Sequence, residues 1–152
     1  MNYTVDQTEF MREALKLARI AANEGEVPVG CVVVKNGDVI GRGRNRREKD
    51  KNALAHAELE AIAEACASFS EWRLSGCAIY VTLEPCPMCA GAIINARIDR
   101  VYYGARDPNT GSCGSVINLF EENYGFRPKI YGGIMEEECA ELLKDFFRDL
   151  RQ

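Results

Sequence analysis

Apolar residues recur at helical spacing between Asp6 and Glu24, at Phe10, Met11, Ala14, Leu15, Ala18 and Ala21 or Ala22, and Gly25 stands where such a run has to stop. The spacing predicts a first amphipathic helix. From Val29 to Val34 the chain is continuously apolar, then turns through Asn36-Gly37 into Val39 and Ile40, the strongest short signal for a hairpin of two antiparallel strands. Arg46 to Leu54 is polar and reads as loop. Ala55 to Ala67 returns to helical spacing, Cys77 to Thr82 reads as a buried strand, and Leu83-Glu84-Pro85 turns the chain into a second helix from Cys86 to Ala96. A strand at Arg100–Tyr103 precedes a Gly/Asp/Asn-rich loop over 104–114. Val116 to Phe120 is a short apolar stretch of one or two helical turns, and Lys129 to Ile134 a final short strand. Glu136 to Leu150 closes the chain as an amphipathic helix with Cys139, Leu142, Leu143, Phe146 and Leu150 as its buried stripe. Helices interleaved with five strands predict an α/β fold, a three-layer α/β/α sandwich around a mixed five-stranded sheet.

At 152 residues the chain fits one domain with a sizeable core, and its 47% hydrophobic and 28% charged residues are those of a globular protein, so neither disorder nor a disulfide scaffold is expected. The first nine residues are polar and acidic, and no window approaches ~20 apolar residues. The expectation is an intracellular, cytoplasmic protein without a membrane span. Seven cysteines is an odd count; Cys31, Cys66, Cys77, Cys113 and Cys139 lack framework spacing and read as free thiols in a reducing compartment. The net charge of −4 speaks against a broad nucleic-acid surface. Yet Arg42, Arg44, Arg46, Arg47, Lys49 and Lys51 lie within ten residues against only Glu48 and Asp50, a local positive patch. It reads either as a phosphate track or as a solvated loop.

The candidate chemistry lies in two pieces, Ala55-His56-Ala57-Glu58 and Pro85-Cys86-Pro87-Met88-Cys89. One imidazole and two thiolates form a borderline-soft tetrahedral set that favours Zn²⁺, and three protein ligands leave the fourth position for water, the mark of a catalytic site. His56 and Glu58 are two apart and would diverge in mid-helix; both can serve one site only at the helix mouth, where the N-terminal dipole favours an anion. Cys86 and Cys89 share a face, Pro87 suits a first turn, and a helix start favours thiolates. Glu58 is then placed to move a proton between water and substrate. Blander readings are a structural zinc with Cys113 as fourth ligand, a redox Cys-x-x-Cys, and a solvated Glu58. The single histidine standing at the same distance from the thiol pair as in zinc deaminases favours the catalytic reading.

The chain resembles the bacterial tRNA-specific adenosine deaminases, within the cytidine deaminase superfamily. The resemblance rests on the stretches 25–30, Asn45, 55–58, 80–92, 103–107 and 138–148. It implies a cytidine deaminase-like fold and conversion of the wobble adenosine of a tRNA anticodon to inosine. It also implies one Zn²⁺ per subunit held by His56, Cys86 and Cys89, with Glu58 as proton shuttle. Asn45, Val27, Pro28, Ala57 and Asp107 become substrate-binding residues, the anticodon stem-loop the partner, and a homodimer the working form. On its residue type alone, Asn45 is a turn residue. A base in a folded stem cannot reach a recessed metal, so recognition implies a loop nucleotide splayed out of its stack.

The chain departs from the family pattern at two places, and the first bears on the partner. Family members usually carry Asn-His before the Arg that begins the last strand, where this chain has Gly125-Phe126 before Arg127; their Asp-Pro-Thr ahead of the histidine is replaced by Asn52-Ala53-Leu54. The first change bears on RNA binding and leaves open deamination of free guanine- or cytosine-type bases or nucleosides. A non-catalytic zinc-stabilised RNA-binding protein is a third possibility.

Overall fold

The computed structural model describes residues 4–151; the first three residues of the polar N-terminal stretch lie outside the described part. Thr4 opens helix α1 (Val5–Asn23) with a capping box, its hydroxyl accepting the Gln7 N–H while the Gln7 side chain accepts the Thr4 N–H. Strands β1 (Gly30–Lys35) and β2 (Asp38–Arg44) form the expected hairpin, with Asn36 and Gly37 both at positive φ, as a two-residue turn of matching twist requires. The rest follows as α2 (Ala57–Phe69), β3 (Cys77–Leu83), α3 (Pro87–Ala96), β4 (Arg100–Ala105), a 3₁₀ turn (Leu119–Glu121), β5 (Lys129–Tyr131) and α4 (Glu136–Leu150). The five strands form one mixed sheet in the order β2-β1-β3-β4-β5.

Alternation along the strands sends side chains to two cores. Cys31, Val33, Ile79, Val81 and Val101 meet α2 and α3 on one face; Val32, Val34, Tyr80 and Tyr102 meet α1 and α4 on the other. This is the three-layer α/β/α sandwich. The boundaries differ where the pattern was thin. β4 runs on through Gly104 and Ala105, which the composition had assigned to loop. β5 stops at Tyr131, before Gly132-Gly133, and Ile134 is buried outside the strand. Val116 and Ile117 are exposed, and only Leu119–Glu121 is helical. On α4 only Cys139 is buried; Leu142, Leu143 and Phe146 are partly covered, and Leu150 is 64% exposed.

Two glycines seat α2. A Cβ at Gly41 would lie 2.1 Å from the Ala61 carbonyl oxygen, and one at Gly43 2.1 Å from that of Ala57. Both glycines are on one face of β2, and Ala57, Ala61 and Ala65 return every four residues on α2, so the helix backbone lies directly on the strand. That contact fixes the start of α2. β1 is antiparallel to both β2 and β3, and β3 is parallel to β4, so β2, β3 and β4 run the same way. Their carboxyl ends share one edge of the sheet, and Asn45, Glu84 and Arg106 are the first residues to leave it. Ligands of open α/β sheets bind at such an edge.

Candidate active site

Both sequence pieces become helix mouths at this edge. His56 is the N-cap of α2 and Cys86 the N-cap of α3, each with extended backbone and neither using its side chain to cap. N-caps are usually Ser, Thr, Asp or Asn, whose oxygens satisfy the first free N–H groups. Here that function is forgone, and the side chains turn toward each other. His56 Nδ1 lies 3.7 Å from Cys86 Sγ and 3.5 Å from Cys89 Sγ. Zinc–sulfur bonds of about 2.3 Å and zinc–nitrogen bonds of about 2.0–2.1 Å, set at a tetrahedral angle, separate sulfur from nitrogen by about 3.6 Å. The donor set and its spacing therefore fit a metal ion. Among the described residues no fourth His, Cys, Asp or Glu joins the group, and Cys113 stands outside it.

The electrostatics follow from closeness and burial. The Cys89 thiol beside it, followed by the His56 ring, holds the Cys86 thiol at about 4; the same contact with Cys86 pushes Cys89 up, so the pair shares one proton when no cation is present. The bond to Cys86 raises His56. Glu58 is 4% exposed, and desolvation pushes its carboxyl up to about 7. A divalent cation among the ligands draws it back toward the ionised form.

A cavity of about 150 Å³ opens beside these groups, lined by His56, Glu58 and Cys86 together with Val27, Asn45, Arg47, Asp107 and Thr110. Asn45 is 8% exposed and gives its amide nitrogen to the Val27 carbonyl at 3.3 Å; among the described residues its side-chain oxygen has no hydrogen-bond donor. The Asp107 carboxylate caps its own turn, accepting from the N–H groups of Asn109 and Thr110 and from the Thr110 hydroxyl. Pro28 and Ala57 are buried beside the cavity walls but do not line it. Half of the positive patch is spent internally: Arg44 and Lys49 pair with Glu24, and Arg46 with Glu60. Among the described residues Arg47 has no such partner, and it faces the cavity.

Sequence reasoning missed two buried carboxylates. Glu26, 1% exposed, accepts the N–H groups of Glu48 and Lys49 and pins the loop carrying Arg47. Glu84, 2% exposed, pins the loop carrying Asp107 and Thr110. Both glutamates stand in apolar contexts, Gly-Glu-Val-Pro and Leu-Glu-Pro-Cys, and that was the available signal.

Residues 5–151 match the model of the MafB19-like deaminase family. The tRNA-specific adenosine deaminase of Bacillus subtilis (strain 168) is 47% identical over 144 residues, 94% of this chain and 89% of that protein. This chain belongs to the tRNA-specific adenosine deaminase family. The deaminase also superposes with a TM-score of 0.86 and 46% identity on a structure from a study of A-to-I editing by tRNA:A34 deaminases at the wobble position of transfer RNA, covering 90% of this chain and 99% of that one. Its sheet and helical layers are thus the cytidine deaminase-like fold. A guanine deaminase from Nitrosomonas europaea aligns over 91% of the deaminase and 83% of its own chain at TM-score 0.81 but 22% identity, a likeness of fold alone. Among the described residues, no helix of the deaminase is long and apolar enough to cross a membrane.

Proposed function

We propose that the protein hydrolytically deaminates the wobble adenosine of a tRNA anticodon to inosine, with Zn²⁺ held by His56, Cys86 and Cys89. The single observation that supports this reading is the convergence of one imidazole nitrogen and two sulfurs at two helix mouths, with a buried carboxylate lining the cavity beside them. Bound there, Zn²⁺ supplies the Lewis acidity that makes water a nucleophile near neutral pH. Glu58 would take one proton from the attacking water and pass it to the ring nitrogen beside C6, then take the second from the new C6 hydroxyl and give it to the departing amine. The C6–O bond forms, the C6–N bond breaks, and ammonia leaves. The burial of Glu58, 4% exposed, limits its access to bulk water and keeps its proton on the path between water and ring.

The cavity, at about 150 Å³, is smaller than the ~300–1,000 Å³ that takes a drug-sized ligand and suits one planar base turned out of its stack. Asn45, held against Val27, offers its free oxygen to a donor on the nucleoside; Val27 supplies an apolar wall, with Pro28 and Ala57 packed behind it, and Asp107 and Thr110 face the sugar-phosphate side. Arg47 is the cation placed to meet a phosphate. The exposed Leu54, Val116, Ile117 and Tyr124 offer apolar surface for a second subunit, and we read the working form as a homodimer. Seven free cysteines accord with a reducing cytoplasm.

The test is incubation of the zinc-loaded protein with an anticodon stem-loop carrying a wobble adenosine, beside free adenosine, guanine and cytidine. Inosine in the stem-loop, with at most slow turnover of the free compounds, is the expected result. Turnover of a free compound with none of the RNA would establish the free-base reading instead.

A further inference from the structure

We infer that Glu84 is a positioning residue: its buried carboxylate gathers the Asp107–Ser115 loop into the substrate wall of the cavity, joining the turn that carries Cys86 to the loop that receives the nucleotide. The inference builds on the RNA-deaminase reading of the same site. Glu84 lies in the cavity lining, two residues before Cys86, yet no substrate chemistry requires it. One carboxylate oxygen accepts the Asp107 N–H at 3.0 Å and the Ser115 hydroxyl; the other accepts the N–H groups of Cys113 at 2.9 Å and Ser115 at 3.1 Å. Four donors therefore converge on one anion, and bonds of this charge-assisted kind are about twice as strong as neutral ones. All four belong to one loop.

The loop is built to receive that anion. A Cβ on Gly111 would lie 2.4 Å from Glu84 Cδ and 2.5 Å from the Asp107 carbonyl oxygen, so the backbone approaches the carboxylate as closely as only glycine permits. From Asp107 the order passes onward. Its N–H is fixed by Glu84, and its own carboxylate fixes Asn109 and Thr110, which sets the Thr110 side chain on the cavity wall. Main-chain bonds from Glu84 N–H to Ala105 and from Ser112 N–H to Pro85 tie down both flanks. Glu84 thus acts on substrate binding through the loop, while proton transfer stays with Glu58.

Glu84→Gln keeps size and burial but turns an amide nitrogen against N–H donors, so at least one side of the cradle opens. In the zinc-loaded full chain, KM for the wobble-adenosine stem-loop should rise about tenfold with kcat within about threefold and zinc per chain unchanged. Amide hydrogen exchange should quicken at Asp107, Cys113 and Ser115 but not in α4. Gly111→Ala presses on the same carboxylate from the loop side and should give the same pattern, which keeps the test open if Glu84→Gln folds poorly. Wild-type KM with unchanged loop exchange would overturn the inference, as would lost zinc or a fall in kcat alone. If the wild type makes no inosine, the RNA reading fails, and the exchange measurement still judges the loop cradle by itself.

Discussion

His56 and Cys86 stand at the N-caps of different helices, thirty residues apart in the chain, with Nδ1 and Sγ 3.7 Å from each other. Two helix starts thereby face one point, and their positive dipole ends make it favourable for thiolates and for an anion on a bound cation. The metal should hold the two mouths together. Removal of zinc by a chelator, or Cys86→Ala, should abolish deamination and lower the melting temperature; zinc added back should restore the wild type but not the variant. Metal content and thermal unfolding measured on the same samples check this.

Glu58→Ala separates holding the metal from using it. Zinc per chain should stay at the wild-type value while kcat falls by about 10²–10⁴-fold, the usual range for a lost proton-transfer group. Deamination close to wild type would remove Glu58 from the mechanism.

Gly43→Ala tests how α2 is seated. Its Cβ would fall 2.1 Å from the Ala57 carbonyl oxygen, so helix and strand must part at the turn that carries His56 and Glu58. Overpacking of this kind costs about 3 kcal/mol, or on the order of 10 °C in melting temperature for a chain of this size. Gly37 occupies an exposed turn; Gly37→Asn tolerates the left-handed backbone there and should change stability far less. Denaturant titration of both variants gives the comparison.

Stability should fall in alkali through buried thiols outside the His56, Cys86 and Cys89 set. Burial raises Cys31 and Cys113 above their ordinary 9.0 and pushes Cys139 up to about 12. The unfolded chain gives up these protons first, so their contribution is complete below pH 9 and is lost as pH rises toward 12 and beyond. Each thiol takes away on the order of 1 kcal/mol per pH unit in that window. Urea midpoints at pH 8, 9 and 10, under reductant, should decline; a flat series would contradict the burial argument.

Arg47 and Arg44 should part company in RNA binding. Arg44 is paired with Glu24, whereas Arg47 has no ion-pair partner among the described residues and lines the cavity. Arg47→Ala should weaken stem-loop binding and reduce its salt dependence by about one ion, and Arg44→Ala should do so less. Equal effects would mean that the whole 42–51 segment acts as one charged surface.

The helix mouths were legible in sequence because a His-x-Glu pair can converge on one point only off a helix end, and Pro87 marks where α3 begins. The hairpin was legible from Asn36-Gly37, and α4 from its apolar stripe, although Leu150 shows that a stripe can outrun the surface available to cover it. Glu26 and Glu84 were not legible. A glutamate is ordinarily solvated, and only the fold reveals that each is enclosed by the N–H groups of a loop distant in sequence. Gly41 and Gly43 carried a signal that went unread, since alternate glycines inside a strand mark a place where another backbone comes close.

X-ray absorption at the zinc edge tests the three-ligand site most directly. The expected result for the zinc-loaded protein is two sulfur neighbours at about 2.3 Å and two nitrogen or oxygen neighbours at about 2.0–2.1 Å, one of them exchangeable for a small anion. Three or four sulfurs, or a closed shell that no anion enters, would mean a structural metal and would contradict the enzyme mechanism.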